Sequence, residues 1–193
     1  MQPWEGVAAP EPLTVPAGSD NLEITFPPGI ELLFRVSDRS GTTLTPRAAS
    51  VSGENLRAFP LVRGNVELLE VFGLGAGSRS ILVSSADGRF GWVHQLHLDA
   101  SDLGRTVDVM VQPASQLLIS DRRGLGRPVQ LEVFQDEAFA ARGLLRPHGR
   151  VMLQVPPGEL ELRAFHDAGG SFEQATQRVF ARVAETVEVE WAP

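Results

Sequence analysis

The sequence predicts an all-β protein made of two tandem β-sandwiches of about seven strands each. Three observations support this prediction: short segments in which apolar and polar residues alternate, frequent turn residues, and self-similarity at a spacing of about 82 residues. The chain contains 19 glycines and 14 prolines in 193 residues. These residues interrupt the chain at intervals that suit short strands better than long helices.

The clearest strands alternate strictly between apolar and polar residues. Asn21–Phe26 is the first, and a Pro-Pro-Gly turn follows it. Thr106–Val111 and Thr186–Trp191 show the same alternation. Each such strand is expected to bury one face and to expose the other. Residues 172–185 contain good helix formers, but their place in the repeat favours a strand.

The internal repeat divides the chain into two halves. A Ser-Asp-Arg turn follows an apolar strand in both halves, and a Thr-Val-acid-Val strand closes both. The matched positions are Ser37 and Ser120, Gly77 and Gly158, and Thr106 and Thr186, offset by 83, 81 and 80 residues. Small drifts in offset are what loop insertions and deletions produce. A repeat that ends in its own closing strand predicts a domain.

The predicted organisation is therefore an extended arm at 1–19, a first sandwich at 20–112 and a second at 113–193. The arm contains four prolines and one aromatic residue, Trp4. Trp4 either anchors the arm to a domain surface or stays free. The joint around Pro113 is short and contains a proline, which fixes φ and stiffens the chain. We therefore expect an elongated pair with a restricted hinge.

The second half resembles the carboxypeptidase regulatory-like (transthyretin-like) β-sandwich family. Arg127-Pro128-Val129 leads into a strand, and Pro156-Pro157-Gly158 lies between two alternating strands. The family's usual aromatic residue after the glycine is Leu160 here. The first half matches less well, with Gly73–Gly77 in place of the prolines. The resemblance implies an immunoglobulin-like or prealbumin-like sandwich and says little about function.

Composition argues against several functional classes. The chain has no cysteine, which excludes disulfides, thiolate zinc sites and cysteine nucleophiles. Its net charge is −7, whereas a nucleic-acid partner requires a concentrated basic face. No apolar run approaches the roughly 18 residues of a membrane span, so no membrane insertion is expected. Met1, if it is the native start, implies a cytoplasmic protein; otherwise the resemblance favours the cell surface or periplasm.

The residues that could carry chemistry do not form a recognisable site. His94 and His97 would point to opposite faces of a strand, which argues against a metal site. Asp99–Gly104 lacks the alternating carboxylates of a calcium loop. The glutamate pair at 159 and 161, like the pair at 188 and 190, lies on one strand face and is expected to be solvated. We predict no catalytic residue, no metal and no cofactor, and therefore no enzyme.

Phe90 and Trp92 are the candidate binding patch. Alternation places both side chains on the same face of one strand. If that face points into the core, they are packing residues. If it faces water, they form a platform for carbohydrate stacking or protein docking.

The predicted function is a non-catalytic interaction or structural module, a spacer or docking subunit of a surface or multiprotein assembly. A protein is the expected partner. The alternative is a carbohydrate-binding or accessory module of a larger hydrolase, with a glycan as its ligand.

Overall fold

The computed structural model describes residues 29–51, 57–121, 127–167 and 172–191. Within these ranges the chain forms fifteen strands and one turn of 3-10 helix, which confirms the all-β prediction. Residues 172–181 form a strand, as the repeat suggested. No helix in the described ranges is long and apolar enough to cross a membrane. The arm at 1–19 and the predicted strand at 21–26 lie outside the described residues.

The first sandwich contains eight strands in two sheets. In chain order they are β1 (Ile30–Ser37), β2 (Thr43–Leu44), β3 (Pro46–Val51), β4 (Arg57–Arg63), β5 (Val66–Leu74), β6 (Gly77–Ser85), β7 (Phe90–Leu98) and β8 (Arg105–Met110). The larger sheet has the order β4-β5-β1-β8, and the two-residue β2 also pairs with β1. The smaller sheet has the order β3-β6-β7.

The second sandwich contains seven strands in two sheets. They are β9 (Ser115–Ser120), β10 (Val129–Gln135), β11 (Ala138–Leu145), β12 (Arg150–Val155), β13 (Gly158–Asp167), β14 (Phe172–Ala181) and β15 (Thr186–Glu190). One sheet has the order β11-β10-β13-β14 and the other β12-β9-β15.

The strands of the two halves pair in nearly the same way, as the sequence repeat predicts. The closing strand β8 runs parallel to the opening strand β1, and β15 runs parallel to β9 in the same way. Thr106 lies opposite Leu33, and its repeat partner Thr186 lies opposite Gln116. One strand differs: β4 pairs with β5, whereas its counterpart β11 pairs with β10 in the other sheet. The strand β4 and its counterpart β11 therefore belong to different sheets of their sandwiches.

Each sandwich has its own hydrophobic core. The first is built around residues of β1, β5, β6 and β8 that face between the two sheets. The second is closed by Trp191, which follows β15 and is 2 % exposed. Because the buried residues of these two cores come from separate stretches of the chain, each half can form its own core without the other.

The proposed boundary at residue 113 can be tested by expressing residues 113–193 alone. We expect this fragment to fold, because all the buried members of the second core lie within it. A dispersed amide spectrum in two-dimensional NMR would support an independent domain. Collapsed amide dispersion, together with full dispersion for the whole chain, would show that the halves form one composite domain.

The outward face of the larger sheet in the first sandwich carries two neighbouring carboxyl groups. Glu31 lies on β1 and Glu70 on the neighbouring strand β5, which pairs with β1. Burial raises the pKa of Glu70 above its ordinary value, and the charge of Glu31 raises it further. The folded state therefore holds a proton on Glu70 more tightly than the unfolded state does.

Glu70→Gln is expected to stabilise the protein slightly at neutral pH. A raised pKa in the folded state favours folding at low pH, and that contribution is lost as the pH rises through the raised value. The glutamine removes the cost of ionisation, so its melting temperature should exceed that of the wild type at pH 7 and converge with it in acid. Glu67→Gln, at an exposed position of the same strand, is the control. A melting-temperature difference that does not change with pH would contradict the assignment.

Candidate functional site at the junction between the sandwiches

Trp92 lies at the contact between the two sandwiches. It is on β7, opposite Leu82 of β6, on the face that points away from the first core. Its indole Nε1 donates a hydrogen bond of 2.7 Å to Oε1 of Gln135, at the end of β10 in the second sandwich. The ring also stacks on His94, with centroids 5.3 Å apart. Trp92 therefore joins the two sandwiches through a directed polar contact.

Gln135 is a buried polar residue, and both the oxygen and the nitrogen of its side-chain amide form hydrogen bonds. It is 7 % exposed, and its Nε2 donates a hydrogen bond of 2.9 Å to the carbonyl oxygen of Pro157. A buried amide without partners would destabilise the fold, whereas this one has a partner for its donor and for its acceptor. The contacts run from Trp92 through Gln135 to the turn between β12 and β13. We call this chain of hydrogen bonds the junction relay.

The Pro-Pro-Gly turn is shaped to admit the Gln135 side chain. Gly158 has φ +126°, a conformation that L side chains rarely adopt. A Cβ atom on Gly158 would lie 2.4 Å from Nε2 of Gln135. The backbone therefore favours glycine here, and a larger residue would also have to displace the Gln135 amide.

Apolar residues surround the junction relay. Leu82 and Phe90 from the first sandwich are buried together with Ala138 from the second, and Trp92, Ala114 and Ala140 pack against them. The small alanines of β11 let the two sheets approach closely. The outward face of β6 and β7 around Leu82 and Phe90 is therefore covered by the second sandwich.

A turn of the first sandwich also touches the second. Gly88, between β6 and β7, has φ +82°, and a Cβ there would lie 2.3 Å from Oε1 of Gln154 on β12. The connecting chain is held as well, because the backbones of Phe90 and Gln112 exchange two hydrogen bonds of 3.0 and 2.9 Å. The short linker therefore leaves the first sandwich in a fixed direction.

The face that Phe90 and Trp92 share is not open to water. Phe90 is 7 % exposed, and Trp92 is half-buried in the junction. The pair does share one face, but that face packs against the second sandwich. An exposed flat platform for carbohydrate stacking is therefore not formed by these two residues.

The expectation that His94 and His97 face opposite ways is wrong. β7 has an irregularity in register opposite Arg79 and Ile81, and Gln95 adopts φ +50°. Val93 and Leu96 consequently both pack against the core, three residues apart. The two histidines therefore lie on the outward side. In the described ranges, no group of three or more histidine, aspartate or glutamate side chains could hold a metal ion.

A charged concavity of about 360 Å³ lies on the second sandwich. Arg163 forms ion pairs with Glu137 at 2.7 Å and Glu161 at 2.5 Å, and its guanidinium lies 4.2 Å from the centroid of the Phe134 ring. The hydrogen bonds that Arg163 donates to Glu137 and then to Glu161 raise the pKa of Arg163. Glu161 is thus paired, not simply solvated. These contacts connect the β10–β11 turn to β13. The charged groups of the concavity therefore have a structural role.

Asp136 and Glu137 connect β10 and β11 with φ of +47° and +64°. Such two-residue turns normally contain asparagine and glycine, which adopt positive φ easily. Here the second turn residue, Glu137, forms an ion pair with Arg163.

Comparison with known proteins gives no family. No family model and no curated protein matches the sequence. The TIE protein of Bacillus anthracis aligns with 84 % of this chain at 14 % identity and a TM-score of 0.35, and this chain spans 33 % of that one. Two variants of the shaft pilin SpaA of Lactobacillus rhamnosus GG align with 84 % of this chain and 96 % of their own, at 8 % and 6 % identity and TM-scores of 0.29 and 0.30. Likenesses this weak carry no argument about function, and the fold assignment rests on the strand order and cores of this chain.

Proposed function

We propose that the protein is a non-catalytic structural or interaction module in which two sandwiches are held in a fixed relative orientation. The junction relay from Trp92 through Gln135 to Pro157 carries this proposal. A buried polar contact between two sandwiches favours one geometry, because any other would remove the Trp92 donor from Oε1 of Gln135. Such a module suits a spacer or a docking subunit of a larger assembly, with a protein as its partner.

The charged groups support a structural role. Arg35 pairs with Asp108 across β1 and β8, and Arg163 is held by two glutamates. The acidic pair Asp99 and Asp102 caps a turn of 3-10 helix, with Asp99 accepting from the backbone of Ser101. These groups are engaged in ion pairs and caps, which is how carboxylates and guanidinium groups stabilise strand ends and turns.

We also propose that the second sandwich belongs to the carboxypeptidase regulatory-like group. Two features of this chain support that assignment. The Pro-Pro-Gly turn connects β12 and β13, and the sheets have the orders β11-β10-β13-β14 and β12-β9-β15. The group describes a fold, and the functional proposal does not depend on it.

A glycan array tests the proposal against the carbohydrate-binding alternative. We expect no specific glycan binding, because Phe90 and Trp92 pack within the junction. The wild-type chain and the variant Phe180→Ala, which removes an aromatic ring that is 65 % exposed, would be applied in parallel. Specific binding by the wild type would overturn the proposal. Loss of that binding in Phe180→Ala would then locate the glycan site on β14.

A further inference from the structure

A groove of about 580 Å³ lies between the two sandwiches, beside the apolar contacts of the junction. One wall is β3 of the first sandwich, and the other is formed by β11 and β12 of the second. Phe90, which is buried in the junction, and Leu153, which belongs to the second core, also line it. Ligand pockets in proteins have volumes of roughly 300–1,000 Å³, so this groove is large enough for part of a peptide chain.

The three strands that form the walls of the groove are edge strands. In the described part of the chain, β3 pairs only with β6, β11 only with β10 and β12 only with β9. An edge strand has backbone N–H and C=O groups on its free side, and an added strand can pair with them. The groove therefore offers main-chain partners to an extended peptide, as in recognition by strand addition.

Two large apolar side chains of the second sandwich remain partly exposed at the groove. Phe139 of β11 is 38 % exposed, and Met152 of β12 is 58 % exposed. Apolar side chains of an occupant would remove part of this surface from water, which favours binding. The groove is therefore suited to a peptide that contains apolar residues.

The charge of the groove differs from that of the whole chain. The chain has a net charge of −7, yet the described residues that line the groove include two arginines and no aspartate or glutamate. Arg142 lies 5.5 Å from the centroid of the Phe139 ring and forms an ion pair of 2.8 Å with Glu132. Arg47 is exposed and forms no ion pair with any described residue. An anionic occupant is therefore complementary to the groove, and Arg47 is the charge available to it.

We propose that this groove binds an extended acidic segment of a partner protein, in which carboxylates alternate with apolar side chains. The backbone of the segment pairs with an edge strand, its apolar side chains contact Phe139 and Met152, and a carboxylate pairs with Arg47. Successive side chains of an extended strand point to opposite faces, so one face supplies the apolar contacts and the other the carboxylates. This proposal rests on the proposed function, because the groove exists only if the two sandwiches keep one orientation.

Titration with a defined peptide tests the proposal. The probe is an acetylated hexapeptide of alternating glutamate and leucine, added to the isotope-labelled whole chain and followed by two-dimensional NMR. We expect saturable shifts in the amide signals of residues 47–48, 139–142 and 152–154. A control peptide in which lysine replaces glutamate should not shift them. The proposal is overturned if the acidic peptide causes no saturable shift of these signals, or if the two peptides bind equally well.

Charge reversal at Arg47 separates binding in the groove from general attraction between charges. Arg47→Glu is expected to weaken binding of the acidic peptide on the order of tenfold, because it exchanges an attraction for a repulsion. The matched control is Arg178→Glu, which makes the same change in net charge. Arg178 is an exposed arginine of β14, at the other edge of the sheet that β11 borders, so this variant should leave the affinity nearly unchanged. Equal weakening by both variants would contradict binding in the groove.

The orientation of the sandwiches, measured on the same wild-type sample by residual dipolar couplings, separates two kinds of failure. If the sandwiches keep one orientation and the acidic peptide does not bind, the groove assignment is wrong and the proposed function stands. If the orientation varies, the proposed function is wrong and the groove proposal is overturned with it. Binding together with one fixed orientation is the result that we expect.

Discussion

Trp92→Ala is expected to uncouple the two sandwiches while leaving each one folded. The substitution removes the ring that packs between them and leaves Oε1 of Gln135 without its donor. The lost contact area and the unpaired buried carbonyl together should cost about 2–4 kcal/mol of coupling free energy. The first core is not affected, because Trp92 is on the opposite face of its sheet. Chemical denaturation followed by probes in each half should change from one shared transition to two.

Two further variants separate the ring from its hydrogen bond. Trp92→Phe keeps most of the apolar contact and loses only the N–H donor, so it should cost about 1–3 kcal/mol. His94→Ala removes the stacked neighbour on the exposed side and should leave the coupling unchanged. Coincident transitions in Trp92→Ala, at the wild-type midpoint, would show that the junction contributes nothing to coupling.

Gly158→Ala is expected to destabilise the second sandwich more than Gly77→Ala destabilises the first. Both glycines open a strand at the same place in the repeat and both have positive φ, +126° and +107°. At Gly158 the added Cβ would meet Nε2 of Gln135 at 2.4 Å, whereas at Gly77 its nearest contact is the flexible end of Arg79 at 3.5 Å. Backbone strain should cost about 1–3 kcal/mol at either position.

The displacement of Gln135 should add about 1–3 kcal/mol at Gly158 alone, because it breaks a buried hydrogen bond. Urea denaturation of the two variants measures the difference. Gly158→Ala should also weaken the coupling between sandwiches, which Gly77→Ala should not do. Equal losses of unfolding free energy in the two variants would contradict the role assigned to the Pro-Pro-Gly turn.

The strands were predictable because the features that indicate them, alternation and turn residues, lie within each strand and its adjoining turns. Alternation along Thr186–Glu190 and the turn residues around Gly158 depend only on neighbouring residues, and the structure has strands and turns there. The repeat also predicted a strand where residues 172–181 could have formed a helix. Local pattern and repeat position agreed over most of the described chain.

The junction could not be predicted because its contacts join distant parts of the chain. Alternation correctly placed Phe90 and Trp92 on one face, but it cannot say what covers that face. The Pro-Pro-Gly motif indicated a turn. Its partner Gln135 lies 22 residues before Pro157, and nothing in the sequence around Gln135 indicates this contact. The irregularity at Gln95 could not be predicted either, because glutamine is not a residue that favours positive φ.

Residual dipolar couplings of the wild-type chain test the central claim most directly. Amide couplings measured in a weakly aligning medium give one alignment tensor for residues 29–112 and another for residues 115–191. If the junction relay holds the sandwiches in one orientation, the two tensors should agree in magnitude and direction. In Trp92→Ala the magnitudes should diverge. Tensors of clearly different magnitude in the wild type would contradict a fixed junction, and with it the proposal that this chain is a rigid two-sandwich module.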